Sequence, residues 1–315
     1  MKKQIISPLF LTISLLASCK SNNNVELKII SPSGAPSAIF YDYSLNDNFE
    51  TNSTPANVGA QLQANNYDVV VFDFYNGLKS IKKNNGNYKL ARILTGGNLF
   101  LVGIDKKETP SEKDYIVSFG QNLLPDLVYR KIYGEEIANA TKYVNGVNEV
   151  AAVLNSGLHN GNSVDYVLIA QPALFAQMNS SKVKDKINVI DNLRDKWEEI
   201  TGNKTIPQAG LFINQTTYEK NKKSLNDFLN KVDENIDACI NNPQKMKDGI
   251  SLIENETDQK AKFGFTANVA FNVQKDKKNG FAFVSKDEQG NLADCLSSFF
   301  STMNISEDYS SYLMN

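Results

Sequence analysis

The chain has 315 residues, 41% hydrophobic and 22% charged, which is enough for two packed domains and too apolar for disorder. With 33 Lys+Arg against 35 Asp+Glu the net charge is −2, and the basic residues form no stripe, so the expectation is no nucleic-acid partner. One histidine and three cysteines exclude a histidine-rich zinc site and a disulfide scaffold, and neither a metal nor a cofactor is assigned.

Lys2 and Lys3 precede a mostly apolar stretch over residues 5–17. That stretch falls short of the roughly 20 apolar residues of a spanning helix and reads as the core of a signal peptide. It ends in Leu16-Ala17-Ser18-Cys19, which resembles a bacterial lipobox. On that reading residues 1–18 are removed, Cys19 carries the lipid, and residues 19–24 form a polar tether to the bacterial cell membrane. The alternative is an ordinary signal peptide cleaved near Ser18, with Cys19 incidental.

Residues 25–30 read as a strand that stops at Ser31-Pro32-Ser33-Gly34-Ala35-Pro36, a loop and helix start. Thr54-Pro55 supplies an N-cap and a proline at the first helical position, opening a helix to about residue 64. Val69-Val70-Val71-Phe72 is the continuous apolar run of a strand buried on both faces. A helix over residues 76–82 follows, and strands over 90–95 and 99–104 flank Gly96-Gly97. The rhythm repeats: strand 115–119, a turn at Gly120, helix 121–132, short strand 143–144, helix 146–154, and strand 165–170 leading to Gln171-Pro172 and another helix. Segments 59–78 and 147–178 echo each other as helix, buried strand, loop and helix. One more strand covers 208–213, amphipathic helices cover 222–241 and 243–254, and a last helix covers 292–303. Alternating strands and helices make this an α/β chain. Cys239 and Cys295 fall in helices, and the choice between a disulfide and two buried thiols stays open. His159 sits in a polar run and reads as a surface-loop residue.

In their order and spacing, several segments resemble type II periplasmic solute-binding proteins of ABC transporters, in the nitrate, sulfonate and thiamine-precursor branch. They are Gly59-Ala60-Gln61-Leu62 before Tyr67-Asp68-Val69-Val70-Val71, Gly97-Asn98-Leu99-Phe100, Phe119-Gly120-Gln121-Asn122 before Pro125-Asp126, Ala170-Gln171-Pro172-Ala173, and Pro207-Gln208-Ala209-Gly210. One departure is Gln171, where many relatives carry Glu before the proline.

The resemblance implies two α/β lobes, each a mixed sheet flanked by helices, joined by two hinge crossovers. Lobe 1 takes residues 25–104 and 208–315, lobe 2 takes 105–207, and the hinges fall near Ile104-Asp105-Lys106 and Ile206-Pro207. Ligands of open α/β sheets bind beyond the carboxyl ends of the strands. The expected ligand residues are therefore Ser33, Gly34, Ala35, Asp73, Phe74, Asn98, Gly120, Gln121, Asn122 and Gln171. Gln121 and Asn122 are expected to open a helix, Asp73 either to bind a ligand amine or to cap one, and Tyr41, Tyr43, Phe74 and Tyr75 to stack on a flat ligand. The implied role is a monomeric, extracytoplasmic lipoprotein that is not an enzyme. It captures a small organic solute, a heteroaromatic vitamin precursor or a sulfonate-type anion, for a permease and its ATPase. An exported lipid-anchored enzyme or a surface adhesin on the same fold is the alternative. Against the enzyme, His159 has no nucleophile or acid set beside it in the sequence.

Overall fold

The computed structural model describes residues 26–314, so the leader, the Cys19 anchor and the tether lie outside the described residues. The chain opens with strand β1 (Ile29–Pro32), the short helix α1 (Ala35–Ala38), β2 (Phe49–Asn52), α2 (Pro55–Ala64), β3 (Val69–Asp73), α3 (Phe74–Asn84) and β4 (Tyr88–Ile93). It continues with β5 (Leu99–Ile104), β6 (Ile116–Phe119), α4 (Leu124–Tyr133), α5 (Glu135–Ala140), β7 (Lys142–Val144) and α6 (Val147–Ser156). A small hairpin, β8 (Leu158–His159) and β9 (Asn162–Ser163), leads to β10 (Tyr166–Ala170), α7 (Ala173–Met178), β11 (Ile187–Asn192) and α8 (Leu193–Thr201). The return is β12 (Ala209–Asn214), followed by helices α9 (Gln215–Lys220), α10 (Lys222–Asn241), α11 (Pro243–Ile250), α12 (Glu256–Phe263), α13 (Ala267–Lys275), α14 (Lys286–Gln289) and α15 (Leu292–Thr302).

The strands form two five-stranded sheets, ordered β2-β1-β3-β12-β4 and β11-β5-β10-β6-β7. In the first, β1 runs parallel to β2 and β3, while β12 lies antiparallel between β3 and β4. In the second, β6 runs parallel to β7 and β10, while β5 lies antiparallel between β10 and β11. The two sheets are thus one topology used twice, and the echo between segments 59–78 and 147–178 is its trace: α2-β3-α3 and α6-β10-α7 are equivalent.

This arrangement corrects the lobe boundary. β5 belongs to the second sheet, so the first crossover is at residues 94–98 and not at Ile104-Asp105-Lys106. Burial on both faces makes β5 a central strand, and periodicity carries no information on which sheet supplies its partners. The second crossover, at 205–208, agrees with the expectation at Ile206-Pro207. The two crossovers run side by side: Ile206 N–H donates to the Gly96 carbonyl at 3.0 Å and Gln208 N–H to that of Thr95 at 2.9 Å. A third segment braces them, with Gly96 N–H donating to Ala282 O and Val284 N–H to Leu94 O.

The core follows from the apolar runs. Val69, Val70 and Val71 are all fully buried, because β3 is sandwiched between helices on both faces of its sheet. Burial of each such side chain is worth about 1.5–3 kcal/mol. Phe299 stacks on the lone tryptophan, Trp197, and meets Phe74 edge-on, which joins α15, α8 and α3. Cys239 and Cys295 are free thiols, which closes the disulfide option. His159 lies on the hairpin with Tyr115 Oη at 3.0 Å from its Nδ1.

Gly97 holds φ at +103° inside the first crossover, and an added Cβ would meet Ile206 side-chain atoms at 3.1–3.3 Å. Both the backbone and the space disfavour a side chain there. Gly97→Ala is expected to lower unfolding stability by about 1–3 kcal/mol, measured by urea denaturation. An unchanged midpoint would refute this account of the crossover.

Candidate functional site

Each parallel strand of the two sheets runs into a helix, and these turns face one another. From the first sheet come the β1–α1 turn, the β2–α2 turn and the β3–α3 junction; from the second come the β6–α4, β7–α6 and β10–α7 turns. Between them lies a cavity of about 160 Å³. Of the residues expected at a ligand, Ser33, Gly34, Ala35 and Asp73 line it from one side, Gly120 and Gln171 from the other, and Asn98 from the first crossover.

Three expected residues are not among the lining residues. Phe74 is fully buried, edge-on to Phe299, because the first residue of α3 turns into the core and not towards the strand end. Gln121 and Asn122 do not open α4, which begins at Leu124; they form an exposed turn in which Asn122 takes a φ of +62°. The aromatic cluster also points elsewhere. Tyr41 packs against Gly249 on α11, Tyr43 against Phe40 and Phe228, and Tyr75 against Phe299, Phe300 and Tyr309. The rings that line the cavity are Phe72, at the end of β3, and Phe119, at the end of β6.

Sequence reasoning missed Thr95, Gln208, Ser53, Asn145 and Asn148, which also line it. Thr95 and Gln208 belong to the crossovers. Their signal was the Gly96-Gly97 break and the Pro207-Gln208-Ala209 segment, read there as hinge and strand only.

Two expected polar residues that line the cavity also make hydrogen bonds within the protein. Asn98 Nδ2 donates to the Gln171 carbonyl at 3.1 Å, and Gln171 N–H donates to the Asn98 carbonyl at 3.0 Å. The Gln171 side chain accepts from Phe175 N–H at 3.1 Å and donates to the Asn279 carbonyl at 2.9 Å. Gln171 therefore ties α7 to the loop after α13, which hangs from the first sheet's side of the molecule. Asn192 and Arg194 hold the same loop, Arg194 Nη2 donating to Lys278 O at 2.6 Å.

Asp73 makes the corresponding tie on the opposite flank. Its Oδ1 accepts from Asn76 N–H at 3.0 Å, which caps its own helix α3. Its Oδ2 reaches across the cavity mouth to accept Leu124 N–H at 2.6 Å, at the start of α4. A single carboxylate thus serves two helix N-termini, one from each lobe, and their positive ends offset the cost of burying its charge. Desolvation nevertheless dominates and holds the carboxyl above its ordinary range, with the backbone donors opposing. Of the two roles open to Asp73 in the sequence, helix capping is the one the geometry displays.

Among the described residues lining the cavity, Asp73 is the only ionisable side chain, and none is Lys, Arg or His. The described residues contain no group of three His, Cys, Asp or Glu able to hold a metal ion, and no helix long and apolar enough to cross a membrane. Most of the wall is apolar, from Pro32, Pro55, Phe72, Phe119, Leu124 and Val147.

Replacing Asp73 by alanine removes both caps and is expected to cost about 2 kcal/mol. Asp73→Asn is expected to cost less, because its carbonyl oxygen can still cap α3 while its amide donors oppose Leu124 N–H. The native carboxyl binds its proton more readily than the unfolded one. Wild type therefore gains stability relative to Asp73→Asn as pH falls from about 7 towards the ordinary carboxylate range, and the gain levels off below it. Denaturation curves for the three proteins across that pH range check both statements. Equal stability of wild type and Asp73→Ala would remove the double cap from the account.

No family model matches the chain, and a search of curated proteins finds no relative in sequence. Solved structures do match. An ABC transporter protein from Parabacteroides distasonis is 17% identical at a TM-score of 0.62, over 92% of this chain and 96% of the other. The ligand-binding component of an ABC-type import system from Staphylococcus aureus, solved with zinc bound, is 11% identical at a TM-score of 0.61, over 91% and 96%. The alkanesulfonate-binding protein SsuA of Xanthomonas axonopodis pv. citri, bound to MOPS, is 7% identical at a TM-score of 0.57, over 90% and 94%. At these identities the similarity is one of fold, and with the doubled sheet topology and the cavity between the strand ends it shows that the chain has the two-lobed periplasmic binding protein fold.

Proposed function

We propose that this protein is the extracytoplasmic solute-binding lipoprotein of an ABC importer. It acts as a monomer tethered through Cys19, captures one small organic solute between its lobes, and presents the closed form to a permease and its ATPase. The observation that carries the reading is the cavity at the meeting point of six strand-to-helix turns, flanked on both sides by hydrogen bonds between the lobes. The solute-binding neighbours add to it by analogy of fold. Binding without chemistry fits the lining. Its one titratable group, Asp73, is committed to two helix caps.

The volume is close to the ~150 Å³ cavity that accepts a benzene ring. Apolar walls, two phenyl rings and the absence of Lys, Arg and His from the lining favour an uncharged heteroaromatic ring. A sulfonate-type anion is the second reading. It is favoured by the N-terminus of the ten-residue helix α6, whose cap Gly146 contributes no side-chain bond and whose first residues line the cavity.

The test is a thermal-shift screen of one-ring heteroaromatics and small sulfonates, followed by solution scattering. A ligand at about 100 times its dissociation constant is expected to add about 2.7 kcal/mol of stability. Trp197, stacked on Phe299 at 5.8 Å, should report the same binding as a change in fluorescence. Dimensions in solution that do not respond to any stabilising solute would overturn capture by closure.

A further inference from the structure

Four buried side-chain polar atoms in the described residues lack a protein partner: Gln177 Oε1, Trp197 Nε1, Asn235 Oδ1 and Gln208 Oε1. Only Gln208 lines the cavity. Several other polar side chains around it are spent within the protein. Thr95 Oγ1 accepts Ala209 N–H at 3.1 Å, Asn145 Nδ2 donates to Glu149 at 2.9 Å, and Asn98, Gln171 and Asp73 are engaged as described above. The Gln208 backbone, by contrast with its side chain, is fixed. Its N–H donates to Thr95 O in the first crossover at 2.9 Å, and its carbonyl accepts from Phe74 N–H at 3.0 Å. The residue is therefore a rigid stem in the second crossover carrying an amide that no protein group uses.

We infer that Gln208 is the specificity-determining residue of the cavity. Its amide reads a solute edge that carries a hydrogen-bond donor beside an acceptor. This rests on the solute-binding reading above and deepens it. A planar carboxamide presents an acceptor and a donor side by side, and the group that satisfies both has the reverse order: a lactam, or a ring nitrogen beside an amino group. Oε1 is buried and unpaired before any solute enters, so a solute that brings the donor gains a hydrogen bond that one lacking it cannot make. The position also couples recognition to motion. A solute held by Gln208 is held by the crossover itself, about which the lobes turn.

The probes are 2-pyridone, which has the adjacent N–H and C=O, and N-methyl-2-pyridone, which keeps the ring and carbonyl but loses the donor. Affinities are measured by ligand-observed NMR on the wild-type protein and on Gln208→Leu. The wild type is expected to prefer 2-pyridone by about tenfold or more, and Gln208→Leu to lose that preference while both probes still enter the apolar cavity. The ligand-free variant should melt within a few degrees of wild type, because the lost amide supports no protein contact. Should it not fold, Gln208→Met replaces it, and the preference must again fall, since a thioether is at most a weak acceptor for the lactam N–H. A preference that survives either substitution overturns the inference, as does a wild type that ignores 2-pyridone or treats the two probes alike. None of those results touches the transport reading, which fails separately if scattering shows no closure with any stabilising solute.

Discussion

One carboxylate in two helix caps is the constraint on which the closed arrangement depends. Asp73 ends β3, so its backbone position is set by a strand buried on both faces, and its side chain has little choice of direction. Leu124 N–H stands at the opposite rim because Gly120 and the following turn deliver α4 there. The bond between them costs desolvation, which raises the carboxyl's proton affinity, and returns the favourable field of two helix N-termini. On the other flank the loop carrying Asn279 is grasped by Gln171 and Asn192. The cavity is bounded by these two ties and by the paired crossovers behind it.

The same asymmetry explains why the lining is chemically quiet. Each flank uses polar groups to hold lobe to lobe, so three of the residues that look like ligand binders in the sequence, Asp73, Asn98 and Gln171, serve the architecture. Gln171 and Asn98 satisfy each other's backbone and a distant loop. At the crossover, backbone pairing fixes the chain while the Gln208 side chain stays unpaired. The proposed capture would rest on shape and on few polar contacts, with hydrogen bonds within the protein joining the lobes.

Much of the fold was legible because its signals are local. The unbroken run Val69–Phe72, the Thr54-Pro55 helix start and the strand end at Ser33-Gly34 each describe a residue's own backbone. The cavity-lining residues at strand ends were legible for the same reason. The partner of a strand is a different kind of information. β5 and β12 carry equivalent apolar runs, and only the finished sheets show that each lies in the sheet opposite to that of the strand preceding it. Short polar elements escaped notice too: β2, at a sheet edge, has one buried side chain in four and no alternation to detect. Phe74 and Tyr75 were misjudged because an aromatic residue after a strand end has two faces available, and here α15 supplied the better apolar one. The abundant asparagines were silent in composition, yet Asn192, Asn214, Asn255 and Asn291 each cap a helix, and Asn65 and Asn85 end two in the left-handed conformation.

The exchange of strands between halves has a consequence for how the molecule is made. Every strand of the second sheet lies within residues 99–192, so that sheet can close as soon as that stretch has left the ribosome. The first sheet cannot. β3 and β4 are both synthesised early, but the slot between them stays open until residues 209–214 arrive, about 120 residues after β4 begins. For that interval the growing chain carries two apolar strand edges with no partner, a surface on which like chains adhere. The half that begins the sequence is therefore the half that finishes last, and anything that shields nascent chains has the most to protect in the segment spanning β3 and β4.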